Sequence, residues 1–108
     1  MNTTRIGKKY NFGEVIIAEL QFTDTFEIKS RPCLILFEDH GNIVVSGITS
    51  NQKMQGIPLT KKEGAIKDSI IKLNYIFTIS EKMVKKTLFS LSEEKKKIIK
   101  DEIIKLIR

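Results

Sequence analysis

Short apolar runs rich in β-branched residues alternate with polar stretches along most of the chain. Such runs have the length and composition of β-strands. The four predicted strands span residues 13–20, 32–37, 42–49 and 69–79. Residues 38–41 contain Asp and Gly between the second and third runs, which predicts a hairpin. Residues 21–30 are predicted to form a polar loop.

Two short helical segments are predicted on either side of the last strand. Thr60 followed by Glu63 fits a capping box, in which both side chains bond to the backbone at a helix start. Gly64 then predicts that this helix is brief, because glycine disfavours helix interiors. Ser80 is predicted to open the second short segment.

A longer amphipathic helix is predicted at the C-terminal end. Ser90 and Glu93 fit a capping box, and an apolar stripe faces away from the charged side chains. The stripe consists of Ile99, Ile103 and Leu106. Short consecutive strands followed by one helix indicate a mainly β fold: a small, strongly bent sheet or barrel with short helices and a C-terminal amphipathic helix.

Composition and charge narrow the class of protein. With 108 residues, 41% hydrophobic and 30% charged, the chain fits one globular domain. We assign residues 13–108 to it and the polar residues 1–12 to an N-terminal arm. No apolar run suits a membrane span or signal peptide, so a cytoplasmic protein without a membrane partner is expected. The net charge of +6 favours an anionic partner, although the lysines at 95–97 are more typical of a solvated helix face.

Metal and cofactor chemistry has little support in the sequence. One histidine and one cysteine do not suffice for a His/Cys zinc site, so no metal and no cofactor are predicted. His40 follows Asp39 in a glycine-containing turn, which is ordinary turn chemistry. Cys33 lies within an apolar strand and is predicted to be a buried thiol.

The ends of two predicted strands carry the best candidates for binding phosphate. Arg31 precedes the second strand and Thr49 ends the third, so antiparallel pairing makes them neighbours. Arginine offers a fork of charged donors, and the hydroxyls of Thr49 and Ser50 add short hydrogen bonds. The alternative is that Arg31 pairs with a surface carboxylate and that Thr49 only favours a strand.

Four segments and the closing helix, in this order, resemble the PemK/MazF family of toxins that cleave RNA. The segments are GEVIIAELQFTD at 13–24, KSRPCLIL at 29–36, VSGITS at 45–50 and DSIIKLNYIFTIS at 68–80. The resemblance covers residues 13–107 and implies an SH3-like barrel that forms a homodimer. It also implies a toxin of a toxin–antitoxin system: a metal-independent, sequence-selective endoribonuclease (mRNA interferase) for single-stranded RNA. The implied partner is an acidic antitoxin, with operator DNA bound only through the toxin–antitoxin complex.

The resemblance also implies site residues. The family's catalytic arginine falls on Arg31, and its threonine falls on Thr49. The residues predicted to contact RNA are Asp24, Lys29, Ser50, Lys53, Lys72 and Asn74. The last strand departs from the family: Asn74 replaces an acid, Tyr75 a glutamine and Phe77 an arginine.

The general base is not assigned by the sequence. Arg31 stays protonated, so the available carboxylates are Asp24 and Glu27, with nothing to choose between them. Tyr75 or Phe26 could stack on a base, but strand alternation predicts Tyr75 in the core. The departures leave open a non-catalytic nucleic-acid- or protein-binding barrel. A poison of a DNA topoisomerase is a third reading, which no residue supports.

Overall fold

Six antiparallel strands and one long helix form the protein in a computed structural model that describes residues 9–22 and 27–108. The strands are β1 (Glu14–Phe22), β2 (Glu27–Asp39), β3 (Asn42–Thr49), β4 (Ile57–Leu59), β5 (Ser69–Ser80) and β6 (Val84–Ser90). Two 3₁₀ turns at Lys61–Glu63 and Glu81–Met83 and the helix α1 (Glu93–Ile107) complete the fold. The sheet order is β4-β5-β3-β2-β1-β6, curled into a half-barrel. The prediction of a mainly β small barrel with a C-terminal helix is confirmed.

The predicted hairpin joins β2 to β3 through a two-residue turn. His40 and Gly41 both have positive φ, at 51° and 82°, as a type I′ turn requires. This turn matches the right-handed twist of the flanking strands. It brings Asp39 opposite Asn42 and so begins the register of the whole hairpin.

Strand boundaries differ from the predictions in two places. The predicted loop at residues 21–30 is largely strand, because β1 and β2 continue to pair as far as Phe22 and Glu27. Strand β6 was not predicted, since its sequence VKKTLFS lacks a buried alternating face. It pairs with β1 at the edge of the sheet, where lysines are tolerated.

Both faces of the sheet are covered, because neighbouring residues of the central strands point into different cores. The first cluster contains Val15, Leu34, Ile48, Ile57, Leu59, Ile71, Leu73, Leu91 and Ile99. The second contains Ile16, Ala18, Cys33, Ile35, Ile43, Val45 and Ile79. We call them the helix-side core and the inner core. This explains why β1 reads as a nearly continuous apolar run rather than a strict alternation.

Helix α1 begins two residues later than the predicted cap implies. Ser92 Oγ accepts a hydrogen bond from the Lys95 backbone N–H at 3.1 Å, so Ser92 is the N-cap and Ser90 is the last residue of β6. Within the predicted apolar stripe, Ile99 is fully buried whereas Leu106 is 55% exposed.

One lysine of the predicted solvated cluster is instead packed between α1 and the sheet. Lys95 Nζ lies 3.1 Å from Glu63 Oε2 and donates to the Pro58 carbonyl oxygen at 2.9 Å. Glu63 Oε1 accepts from the Thr60 backbone N–H at 2.9 Å, in the predicted capping box. Lys97 does lie on the solvated face. The basic cluster therefore serves partly to hold α1 against the 3₁₀ turn.

A buried glutamate ties the start of the described chain to the sheet. Glu38 Oε1 accepts from the backbone N–H groups of Lys9 and Tyr10 at 3.0 and 2.9 Å, and Phe12 packs against the helix-side core. Residues 1–8 of the predicted arm lie outside the described residues, and the domain boundary at residue 13 stays a prediction. In the described part of the chain, no helix is long and apolar enough to cross a membrane.

Candidate functional site

Two cavities meet at Arg31 and Thr49. The larger cavity has a volume of about 450 Å³ and the smaller about 300 Å³. Arg31, Ile48 and Thr49 line both of them. Arg31 and Thr49, the predicted phosphate-binding residues, therefore lie on the boundary between two concave surfaces.

Strand register explains why these two residues are neighbours. The hairpin ladder pairs Cys33 with Gly47, and continuing it by two residues places Arg31 opposite Thr49. On its other side, Arg31 pairs with Ala18 of β1. Strand β3 ends at Thr49 whereas β2 extends back to Glu27. The sheet narrows there, which opens space beside the arginine.

Hydroxyl groups and a lysine surround the polar side of the larger cavity. Ser30, Ser50, Ser69 and Lys67 line it together with Arg31. Its apolar side consists of Val15, Ile17, Pro32, Ile48, Leu59, Ala65, Ile66, Leu88 and Phe89. Cationic and hydroxyl donors beside an apolar wall suit a ligand that has a phosphate and a less polar part.

The Thr49 hydroxyl is oriented by the turn that follows β3. Thr49 Oγ1 accepts a hydrogen bond from the Asn51 backbone N–H at 3.1 Å, and Asn51 Oδ1 accepts from the Lys53 backbone N–H at 3.0 Å. Because a hydroxyl has one proton to donate, Thr49 can still donate to an oxygen of a ligand. Asn51 keeps its amide NH₂ as a donor beside the smaller cavity, which it lines.

The smaller cavity is shaped by a bulge in β5. Gly47 pairs with Lys72 while Ser46 pairs with Ile76, so residues 73–75 are inserted between consecutive pairs. Ser46 Oγ donates to the Lys72 carbonyl oxygen at 2.6 Å. The insertion changes the alternation after Lys72 and leaves Tyr75 52% exposed. The prediction that Tyr75 belongs to the core is therefore wrong.

Aromatic and cationic side chains lie together in the smaller cavity. The ring centroids of Tyr75 and Phe77 are 5.1 Å apart with the planes tilted by 45°. Lys72 Nζ lies 6.0 Å from the Tyr75 centroid, at the outer limit of a cation–π contact. Leu20, Cys33 and Met54 also line this cavity.

The structure brings some of the predicted RNA-binding residues to the cavities and not others. Ser50 lines the larger cavity and Lys72 the smaller. Lys29, Lys53 and Asn74 line neither, and Lys29 Nζ lies 3.5 Å from Glu27 Oε1. Asp24 lies outside the described residues.

Three cavity residues were missed by sequence reasoning. Lys67 precedes β5 and Ser69 is its first residue, and pairing of Thr49 with Ile70 brings that segment beside the end of β3. A predicted β3–β5 pairing would have been enough to find them. Asn51 could have been found as the residue two positions after Thr49, where Asx and Ser/Thr turns form.

The remaining reactive side chains lie outside this chemistry. Burial raises the pKa of the Cys33 thiol to about 12, so the thiol is protonated at neutral pH. His40 is at the hairpin tip, nine positions along the chain from Arg31, or about 30 Å of extended strand. Among residues 9–22 and 27–108, no three His, Cys, Asp or Glu side chains form a group that could hold a metal ion.

Comparisons with known proteins agree with this fold. Residues 11–107 match the family model described as PemK-like, MazF-like toxin of type II toxin–antitoxin system. The Mycobacterium tuberculosis toxin MazF-mt6 superposes with a TM-score of 0.67 at 21% identity, over 83% of this chain and 91% of that one. A mycobacterial endoribonuclease in complex with its cognate antitoxin gives 0.68 at 12% identity, over 90% and 93%. No curated protein matches by sequence.

Proposed function

The chain belongs to the family of PemK- and MazF-like toxins of type II toxin–antitoxin systems, and we propose that it is an endoribonuclease. In this proposal Arg31 and Thr49 form the active site that cleaves single-stranded RNA. The carrying observation is that these two side chains line both cavities at the end of β3. Unpaired RNA is the proposed substrate because cleavage by the 2′-hydroxyl needs a backbone free to align for attack.

The reaction needs alignment and charge stabilisation more than a protein nucleophile. The 2′-oxygen attacks the adjacent phosphorus, the bond to the 5′-oxygen breaks, and a 2′,3′-cyclic phosphate and a 5′-hydroxyl result. Arg31 supplies positive charge and paired donors to the non-bridging oxygens, where negative charge builds up. Thr49 donates its hydroxyl proton to one of those oxygens while the Asn51 N–H holds its Oγ1.

Protons are proposed to move through water. No carboxylate or imidazole is among the residues that line the two cavities in the described part of the chain. Glu27, one of the two candidate bases, lies beside Lys29 instead. In this proposal the 2′-hydroxyl proton passes to solvent, and the 5′-oxygen takes one from solvent. Cleavage should then keep accelerating with rising pH, without the plateau that an essential carboxylate base gives above its pKa.

An acidic antitoxin is the proposed inhibitor. Arg31, Lys67 and Lys72 line the cavities, and the chain carries a net charge of +6. Carboxylates of an extended acidic segment can take the positions of RNA phosphates, so the two ligands should compete. The endoribonuclease among the structural neighbours is described in complex with its cognate antitoxin. We propose that this chain and its antitoxin form a complex in the cytoplasm, and that any contact with operator DNA occurs through this complex.

Cleavage of a single-stranded RNA in EDTA tests the proposed activity. Wild type should produce cyclic phosphate ends, and Arg31→Ala should be slower by about 10²-fold, as for the loss of one preorganised charge-stabilising group. Arg108→Ala is the matched control, because it removes an arginine from the exposed end of α1. Equal rates for wild type and Arg31→Ala would reveal a contaminating nuclease and refute the assignment. Tight RNA binding without cleavage would favour the non-catalytic barrel.

A further inference from the structure

We propose that the smaller cavity binds one unpaired nucleobase of the substrate, stacked on Tyr75 and adjacent to the phosphate at Arg31 and Thr49. The inference rests on the proposed RNA substrate and adds a base-binding residue to it. The family resemblance leads one to expect a glutamine at the position of Tyr75. The proposed site therefore depends on a residue by which this chain differs from the family pattern.

The position of the cavity relative to the arginine is the first argument. Arg31 and Thr49 line the smaller cavity together with Tyr75. A phosphate bound by the first two residues therefore places its neighbouring nucleotide at the cavity. The volume of about 300 Å³ accommodates a single base. A base that stacks there must be unpaired and outside an RNA helix.

The second argument is that the Tyr75 ring is held in place yet exposed. A Cβ atom on Gly47 would come within 2.6 Å of Tyr75 Cδ2, so the ring lies against the β3 backbone where only glycine leaves room. Phe77 packs beside it with a centroid separation of 5.1 Å. An exposed aromatic ring that is already ordered loses little entropy when a base stacks on it.

Polar groups around the ring complete a site for a nucleotide. Lys72 Nζ, 6.0 Å from the Tyr75 centroid, can contact a backbone phosphate on the far side of the base. The Asn51 amide NH₂ can donate to an acceptor on the base edge, since its Oδ1 is already bonded to the Lys53 N–H. Leu20 and Met54 supply apolar walls. The combination of stacking surface, edge donor and cation matches an unpaired nucleotide.

The chain offers a matched control for Tyr75. Phe37 is an aromatic residue of the same sheet with a similar exposed fraction, 55% against 52%. It lines neither cavity. An effect of Tyr75→Ala that Phe37→Ala does not share therefore comes from the location of the ring rather than from loss of a surface aromatic.

A substrate–residue cycle tests the base site. Wild type is given an RNA that it cleaves and the same RNA with an abasic ribose at each position in turn. One abasic position beside the cleaved bond should lower kcat/KM by about 10-fold, within the range for one stacked base. Tyr75→Ala should lower kcat/KM on the intact RNA similarly and abolish the abasic effect. Tyr75→Phe should keep the abasic effect because it keeps the ring, and Phe37→Ala should behave like wild type. Persistence of the abasic effect in Tyr75→Ala would overturn the proposal.

A second readout does not depend on cleavage. The chain has no tryptophan and two tyrosines, so Tyr10→Phe leaves Tyr75 as the fluorophore. Binding of a non-cleavable 2′-O-methyl RNA should quench its emission, and an abasic residue at the sensitive position should weaken the quenching. Quenching and Tyr75-dependent affinity without any cleavage would support the base site and refute the proposed nuclease. Arg31-dependent cleavage without a Tyr75-dependent abasic effect would support the proposed nuclease and refute the base site. If neither cleavage nor the abasic effect is seen, both proposals are wrong.

Discussion

The ring of Tyr75 lies directly against Gly47 on the neighbouring strand, so that a β-carbon at residue 47 would approach Tyr75 Cδ2 to 2.6 Å. A glycine inside a strand ordinarily weakens it, and an aromatic ring that covers the glycine compensates for the missing side chain. The same contact fixes the ring beside Arg31 and Thr49 at the smaller cavity.

Gly47→Ala should displace the Tyr75 ring and weaken RNA binding. We expect the alanine to cost about 1–3 kcal/mol of folding stability, the range for an added methyl group in a packed site. Tyr75→Ala makes room for it, so Gly47→Ala should be better tolerated in that background than in wild type. Urea unfolding and RNA titration of the four proteins measure both effects. Additive losses would show that the two residues act separately.

The hydroxyl of Thr49, rather than its shape, should matter for cleavage. Thr49→Val keeps the branched side chain but removes both the acceptor for the Asn51 N–H and the donor to the phosphate. We expect kcat to fall by about 10²-fold, comparable to the loss of one oxyanion donor. Thr49→Ser should retain most of the activity because it keeps the hydroxyl. Single-turnover rates provide the comparison, and a Thr49→Val enzyme as fast as Thr49→Ser would contradict this role.

The ion pair between Glu63 and Lys95 should stabilise the fold only above acidic pH. Burial by itself would raise the pKa of Glu63, but hydrogen bonds from Thr60 and Lys95 outweigh it and lower the pKa. A lowered folded-state pKa means that the stabilisation is complete above the unfolded value of about 4.3 and is lost as pH falls through the folded value.

Glu63→Gln should therefore lose about 1 kcal/mol at pH 7, the upper end for a partly exposed pair, and converge with wild type in strong acid. Urea unfolding across pH provides the measurement. Asp101→Asn is the control, because it removes the exposed pair with Lys97 and should change stability little. A Glu63→Gln deficit that stays constant down to strongly acidic pH would contradict the ionic origin.

The exposed end of α1 should be buried in a homodimer. Ile104, Leu106 and Ile107 are 57%, 55% and 76% exposed, and adjacent exposed apolar side chains are typical of interaction surfaces. Wild type should sediment as a dimer at micromolar concentration, and Ile104→Glu with Ile107→Glu should give a 12.4 kDa monomer. If wild type sediments only at 12.4 kDa, the predicted homodimer is wrong.

Local rules were sufficient for the hairpin and for the placement of its ends. The Asp39–Asn42 turn contains Gly41 where positive φ is required, so the turn follows from residue type. Once β2 and β3 pair from this turn, Arg31 and Thr49 become neighbours by counting. Local rules did not place the start of α1 correctly. Ser90 and Glu93 have the spacing of a capping box, but Ser90 is the last residue of β6, a strand that the sequence pattern did not predict, and Ser92 is the N-cap.

The sequence by itself determined the strands with strong apolar patterns, the family resemblance and the proximity of Arg31 to Thr49, since these depend on local periodicity and on antiparallel counting. Only the tertiary structure decided where Tyr75 points. Three inserted residues in β5 change its alternation. Such a bulge depends on how β5 pairs with β3, whose partner residues lie 25 to 30 positions earlier in the chain, so the local hydrophobic pattern of β5 does not reveal it. Lys95 shows the same limit: its charge is visible in the chain, but only packing brings Glu63 and the Pro58 carbonyl to it.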